Sequence, residues 1–497
     1  MDLDQQKFLT SLLLAIIAIY IYIKWKLNYW KNRGIKGPRP LPLFGNYIEI
    51  FFKKLTVGET VDKIYKKWKN LPYVGVYKGH QPQLIINDLD LIKTILIKDF
   101  DTFYGRGIVL NEMTDPLTAH LFNIDGPRWK AVRAKLSPTF TSGKLKNMLT
   151  NMIECSNDFG KYLEKKIIDN NVIDCRDAAG RFSTDIMGSC CFGIKTNALT
   201  HSNSEFYEFC EKVSASDFRG MLKRLIREIQ PELFKLLKVN LINPKIGNFF
   251  INSMKEVIEL RKNNNIIKND LTDLILQSQN DDSEFDECFM IAQSFILFVA
   301  GMDMISTAVS LALLELAIEP KIQDKLRHEI NEILNDNNDE KLTWDVINNM
   351  KYLDMVVLET LRKNPPLLTL ARETSKPYKI PGTDMVIDEG IKITIPVYSI
   401  HHDPNYYPNP EKFDPERFCD EAKAQRHSMA FCAFGQGNKN CIGFRFAGYP
   451  IKLGIMTVIK KWLVKPSKLT VVPFEMDKGS VILTPREGVH LLFEPVL

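Results

Sequence analysis

The chain has 497 residues, 45% of them hydrophobic and 25% charged, enough to bury a large core and, on length alone, about three domains. Its formal net charge of +5 is only mildly basic, and no block of Lys and Arg marks a basic tail, so no nucleic-acid partner is expected. Nine scattered cysteines, with Cys190 and Cys191 adjacent and no C-x-x-C pair, argue against a secreted disulfide scaffold and for reduced thiols facing the cytosol.

Phe8 to Ile23 is uncharged, and extending the span to Leu27 gives a helix of roughly 30 Å, enough to cross a bilayer. Lys24 and Lys26 can snorkel, and Tyr29 and Trp30 suit an interfacial aromatic belt. The run ends in Lys24-Trp25-Lys26, where a cleaved signal would carry small residues, so a retained anchor is expected rather than a signal peptide. Only Lys7 precedes the span, whereas Lys24, Lys26, Lys31, Arg33, Lys36 and Arg39 follow it, which puts the bulk of the chain on the cytoplasmic side. The boundary is set at 36, with anchor and flank before it and one domain, residues 37–497, after it. A buried core helix is the alternative.

Pro38, Pro40 and Pro42 predict a stiff extended spacer between membrane and domain. Residues 73–88 read as a hairpin around Lys78-Gly79-His80. From about 90 to 365 the pattern is mostly helical, with a polar break at Asn263, Asn264 and Asn265. Strand-like segments return at 377–400 and 481–497. In 221–229, Leu222, Leu225, Ile226 and Ile229 share one face of a basic amphipathic helix. An ordinary surface helix is expected there, with membrane contact as the alternative.

The chemistry centres on "AFGQGNKNCIGFRFAG", residues 433–448. It lacks the third glycine of a dinucleotide loop and the Gly-Lys-Ser/Thr of a P-loop. Cys432 alone is a poor partner for zinc, and a nucleophilic cysteine would need a histidine that sequence spacing cannot identify. A single thiolate suits a metal that already has four ligands, as haem iron has; an inert buried thiol is the plain alternative. Three other stretches bear on that choice. Glu359 and Arg362 are three apart, on one helix face; Arg417 lies in the proline-fixed turn "FDPERF"; Trp129 and Arg133 are one helical turn apart in "GPRWKAVRAKLSPTF".

Together these four stretches resemble the cytochrome P-450 superfamily. Its haem loop is Phe-x-x-Gly-x-Arg-x-Cys-x-Gly, and residues 434–443 are Phe-Gly-Gln-Gly-Asn-Lys-Asn-Cys-Ile-Gly. The Trp-x-x-x-Arg, Glu-x-x-Arg and Pro-Glu-Arg-Phe motifs occur in the family's order, behind an anchor and proline hinge like those of microsomal members. "LSPTFTSGKLKNM" and "HHDPNYYPNPEKFDPERF" are similar to the arthropod detoxification and vertebrate drug-metabolising group.

The resemblance implies a mainly α fold with smaller β-sheets, the haem-thiolate fold, preceded by an N-terminal transmembrane helix. It implies heme b (iron protoporphyrin IX) with Cys441 as axial thiolate, Gly443 allowing close packing on the porphyrin and Phe434 shielding the sulfur. Trp129, Arg133, Arg372 and Lys439 would hold the propionates, while Glu359, Arg362 and Arg417 would form the ion-pair network beneath the haem. The activity implied is insertion of one oxygen atom from O2 into a lipophilic small molecule. Electrons would come from NADPH through a reductase, with cytochrome b5 as a second candidate donor. Arg128, Lys130, Lys135 and Arg445 would form the docking face. The endoplasmic reticulum membrane is the implied location, and Ile296, Val299, Ala300, Leu368 and Leu370 the implied pocket lining.

Two positions depart from the family pattern. Lys439 replaces the loop arginine and loses its bidentate fork. In "FVAGMDMISTAVS", Ala300, Gly301 and Asp303 match the oxygen-activating helix, but Met304 stands where threonine supports proton delivery, and methionine has no proton to give. Asp303, with Ser306 or Thr307 through water, is then the expected catalytic set. Met304 also motivates a haem-thiolate isomerase or dehydratase acting on hydroperoxides as an alternative; a non-catalytic haem-binding membrane protein is the third reading.

Overall fold

A computed structural model describes residues 3–214, 218–268, 270–281, 285–336 and 342–496. Its first helix, α1 (Leu3–Lys26), is exposed along nearly its whole apolar length and buries only Ile23. A second helix, Glu287–Ile318, is as long and as apolar but lies mostly inside the protein, the mark of a core helix rather than a span.

Packing starts before residue 36. Trp30 is 3% exposed; its indole Nε1 donates to the Val76 carbonyl at 2.9 Å and its backbone N–H to Tyr77 Oη at 2.9 Å. Tyr29 Oη donates to Asp388 Oδ2 at 2.9 Å, and Arg33 pairs with the same carboxylate. The proline stretch also differs from a free standoff. Gly75 N–H donates to the Lys36 carbonyl at 3.0 Å, and a Cβ on Gly37 would sit 1.9 Å from the Gly75 oxygen. The extended backbone that proline enforces leaves its carbonyls unpaired, and the sheet edge takes one of them.

The strands are β1 (Tyr73–Lys78), β2 (Gln81–Ile86), β3 (Val172–Asp174), β4 (Leu370–Glu373), β5 (Lys392–Ile395), β6 (Trp462–Pro466) and β7 (His490–Pro495), besides a short pair at Tyr378–Lys379 and Val386–Ile387. One sheet runs β1-β2-β5-β4, with β2 and β5 parallel and the other neighbours antiparallel; a second runs β3-β7-β6. The hairpin at 73–88 turns at Gly79, whose φ of +62° glycine tolerates. Strand structure in 377–400 is confined to short pieces and gives way to a helix at Val397, while residues 481–489 form no strand and only 490–495 do. β3, three residues inside the helical region, carried too short a pattern to read.

Of the helices, those that build or border the site are α2 (Gly126–Leu136), α3 (Cys175–Met187), α4 (Glu205–Ser214), α5 (Phe218–Ile229), α6 (Glu287–Ile318), α7 (Lys351–Lys363), α8 (Val397–His401) and α9 (Phe444–Lys461). Asp286 caps α6, accepting from Phe289 N–H at 2.7 Å. α6 crosses the core against α3 and α9, and a Cβ on Gly454 would lie 3.1 Å from both Phe182 and Val309, so the three helices meet at close range. On α5, Met221 and Leu225 are buried but Leu222 is exposed, so the apolar face is rotated from the expected one. The cause is docking: Lys78 pairs with Glu228, and Ile229 packs on Gly79 at the hairpin turn.

Candidate functional site

Cys441 ends a loop bent by two glycines at positive φ, Gly435 (+69°) and Gly437 (+73°). A Cβ on Gly437 would come within 2.0 Å of the Leu96 carbonyl, so the loop lies hard against the 94–98 segment. The Cys441 N–H donates to the Phe434 carbonyl at 2.7 Å, closing the loop, and α9 starts three residues later. Of the nine cysteines, Cys441 alone keeps an exposed side chain, although protein crowds it on several sides. Burial raises its thiol pKa, against the lowering effects of the Gly443 N–H and the Arg133 cation. Phe434 is half-buried beside it in the loop. Among the described residues no group of three or more His, Cys, Asp and Glu is placed to hold a metal ion.

Cations gather on one side of this loop. Asp125, at the N-cap of α2, makes no cap bond with its side chain. Its carboxylate instead accepts from the Arg106 N–H at 3.0 Å and pairs with Lys439 Nζ. Lys439 is buried, its ammonium 4.8 Å from the Trp129 ring centroid, and burial together with Arg106 pulls its pKa down to about 8. Arg133 donates from both Nη atoms to the carbonyl and side-chain oxygens of Asn440 at 2.9 Å. Arg106 donates from Nη1 to the Phe122 carbonyl at 2.9 Å. Arg372, 2% exposed, donates to the neighbouring Ala371 carbonyl, while its Nε is buried with no partner among the described residues.

Among the described residues none of these three guanidinium groups forms an ion pair. Burial lowers the pKa of all three, to about 9 for Arg106 and about 10 for Arg372. Arginine stays protonated, so the direction records positive charge that the protein does not neutralise. Four cations against Asp125, with the Glu373 carboxylate nearby, still leave room for a dianion. Sequence reasoning identified Trp129, Arg133, Arg372 and Lys439 but missed Arg106 and Asp125. Arg106 reaches the cluster because Gly105 bridges to Glu373, next to Arg372, a contact without a local signal. His120, buried nearby with Nδ1 unpartnered, is held neutral, its pKa lowered to about 3 by burial and by Arg106.

α6 has a partly open stripe in its otherwise buried middle: Ile296, Ala300 and Met304, four apart, with Leu297, Val299 and Gly301 beside them. Thr307 continues the stripe, buried, with an Oγ1 that has no hydrogen-bond partner among the described residues. Asp303 and Ser306 turn elsewhere. Asp303 Oδ1 lies 3.2 Å from Arg176 Nη2, and Oδ2 accepts from Ser214 Oγ at 2.6 Å. Burial raises the Asp303 pKa while Arg176 and Ser214 oppose it. Ser306 Oγ also bonds to Arg176 and donates to the Asp303 carbonyl at 3.1 Å. Arg176 and Ser214 belong to α3 and α4, and no sequence pattern linked them to α6. Leu370 opens β4, and Leu368 is buried against Gly58.

Behind the loop, Glu359 and Arg362 are both fully buried on α7, paired at 2.7 and 2.9 Å. Arg362 also donates to the carbonyls of His401 and Pro410 at 2.8 Å, and Arg417 Nε lies 3.4 Å from Glu359 Oε1. Of the four expected docking cations, Lys130 and Arg445 are exposed. Arg128 is paired with Glu112 at 2.8 Å, and the Lys135 ammonium lies 5.4 Å from the Phe285 ring centroid, a contact that leaves its charge in place.

The chain matches the family described as Cytochrome P450 across residues 35–493. It is 37% identical to "Probable cytochrome P450 6a13" of Drosophila melanogaster, covering 96% of this chain and 97% of that one. It is 36% identical to "Cytochrome P450 6A1" of Musca domestica, covering 96% of each. With "Cytochrome P450 6k1" of Blattella germanica the identity is 34%, over 98% and 96%. The chain belongs to the cytochrome P450 family: it is a haem-binding monooxygenase of a family that holds haem through a cysteine thiolate.

Proposed function

We propose that this cytochrome P450 is anchored in the endoplasmic reticulum membrane by α1, with its catalytic domain in the cytosol. There it inserts one oxygen atom from O2 into a lipophilic small molecule, using electrons passed from NADPH by a flavoprotein reductase, with cytochrome b5 as a second candidate donor. The observation that carries the reading is the pairing of the one exposed cysteine, Cys441, with three guanidinium groups that form no ion pair among the described residues. A haem asks for that donor set: one thiolate for the iron and cations for two propionates.

Cys441 would hold the haem through its thiolate, its charge steadied by the Gly443 N–H and Arg133, with Phe434 beside it excluding water. Arg372, with its orphaned Nε, and Arg106 and Arg133 would take the propionates; Trp129 and Lys439 would close the same edge. Haem so held supplies activation of O2 with electrons delivered one at a time. The chain's part is to exclude water, orient the substrate and hold protons. Ile296, Ala300 and Met304 offer an apolar wall for the substrate. Thr307 Oγ1, buried and unpartnered on the same stripe, is the hydroxyl free to hold a proton, whereas Ser306 is taken up by Arg176. Asp303, tied to Arg176 and Ser214, would resupply it from the far side of α6.

Lys439 gives a pH dependence with a definite sign. Its folded-state pKa, about 8, lies below the ordinary 10.5, so the unfolded chain holds this proton more firmly. Stability of the haem-free protein therefore rises as pH climbs through that window, because a costly buried charge is released. Haem uptake has the opposite sign, since the propionate edge loses a cation. Haem titration and urea unfolding between about pH 7 and pH 10 should show weaker haem binding and firmer folding at the upper end. Lys439→Met should flatten both profiles; parallel profiles in the two proteins would remove the assignment.

The function itself is tested with purified protein in lipid with reductase and a panel of lipophilic compounds. NADPH use, oxygenated product and hydrogen peroxide are followed together, beside a control given hydroperoxides without reductase. Product in step with NADPH supports a coupled monooxygenase despite Met304. Turnover confined to hydroperoxides would sink that reading and favour the isomerase.

A further inference from the structure

Behind the thiolate loop lies a histidine whose two ring nitrogens are both engaged. His401, the last residue of α8, is fully buried. Its Nδ1 is 3.0 Å from the Arg362 carbonyl oxygen, and its Nε2 receives the Cys432 N–H at 3.0 Å. Its own carbonyl accepts from Arg362 Nη1 at 2.8 Å. A carbonyl at Nδ1 and an N–H at Nε2 admit one arrangement: the proton sits on Nδ1 and Nε2 is the acceptor. The ring also stacks on Phe431 at 5.4 Å between centroids and 6° between planes.

Cys432 starts the thiolate loop. Its carbonyl accepts from Gly435 N–H at 2.9 Å, the Gln436 amide donates to the Phe431 carbonyl at 3.0 Å, and the loop then closes at Cys441. His401 thus joins the Glu359–Arg362 pair to the point from which the loop springs. A second tie runs through Tyr407, whose Oη donates to the Ala430 carbonyl at 3.1 Å and whose ring centroid lies 5.2 Å from the Arg362 guanidinium, but it reaches the residue before Phe431 and not Cys432.

We infer that His401 is a positioning residue for the thiolate: as a neutral Nδ1-H imidazole it carries the rigidity of the buried Glu359–Arg362 pair into the loop and fixes where the Cys441 sulfur sits. The inference rests on Cys441 being the haem ligand. The effect of His401 runs through the Cys432 N–H. Burial, helped by His402 and Arg362, pushes its pKa far below the usual histidine value, in keeping with the neutral tautomer.

Two substitutions separate positioning from mere packing. His401→Gln can present an amide oxygen near the Nε2 position and keep the Cys432 N–H satisfied; His401→Asn can keep the donor at the Nδ1 position but falls short of Cys432. The readouts on holoprotein are the fraction of ferrous–carbon monoxide complex with the thiolate signature during mild warming, and the rate of haem transfer to a scavenging apoprotein. Urea unfolding of the same samples is measured beside them. Loss of a buried acceptor predicts conversion to the neutral-thiol form about tenfold faster in His401→Asn, with His401→Gln within about threefold of wild type. Equal behaviour of the two variants, whether both impaired in step with their unfolding midpoints or both unchanged, overturns the inference. Wild-type protein without a thiolate signature would instead overturn the ligand assignment beneath it.

Discussion

Cys441→Ala is expected to abolish product formation and to remove the thiolate signature of the ferrous–carbon monoxide complex. No other group can take over. Cys432, nine positions earlier, is 1% exposed, and its Sγ donates to the Met429 carbonyl at 3.2 Å. Burial raises its pKa to about 12, so it stays a thiol at neutral pH. The guanidinium edge is untouched by the substitution, so haem should still enter but be held more weakly and exchange faster. Absorption spectroscopy of haem-reconstituted protein separates these effects: a thiolate band that survives in Cys441→Ala would refute the ligand assignment.

The second large effect falls on folding. Glu359→Ala leaves the buried Arg362 without its carboxylate, and Arg362→Ala leaves the buried Glu359 with only the longer contact to Arg417; each is expected to cost about 3–5 kcal/mol. Arg362 also satisfies the His401 and Pro410 carbonyls, and Glu359 Oε1 accepts from the Asp414 N–H at 2.9 Å, so either loss orphans backbone groups as well. Arg362→Lys keeps the charge but loses the planar fork, and should cost less while still loosening the loop. Urea unfolding of the haem-free proteins measures this without reference to activity. A shift under about 1 kcal/mol for Arg362→Ala would contradict the role given to the pair.

What the sequence disclosed and what it hid divide along contact distance. Cys441, its two turn glycines and the Glu359/Arg362 and Trp129/Arg133 spacings are local patterns, and each lies in the element expected for it. The charge cluster was only half legible. Arg106 meets the loop through a bridge to Glu373, and Asp125 looks like an ordinary N-cap until its side chain is seen to reach Lys439. The partners of Asp303 were hidden for the same reason, since Arg176 and Ser214 come from two other helices. The proline stretch misled because its composition fixes local stiffness but not what the chain lies against. Leu222 misled because helical periodicity defines an apolar stripe without saying which edge of it the hairpin turn will claim.

The central claim, that the chain inserts one atom of O2 into its substrate, is tested most directly with isotopically heavy O2 in the reconstituted system. For any compound of the panel that turns over, the product is expected to carry one heavy oxygen atom, with one NADPH consumed for each. Unlabelled product, or oxygen that comes only from an added hydroperoxide, would contradict it.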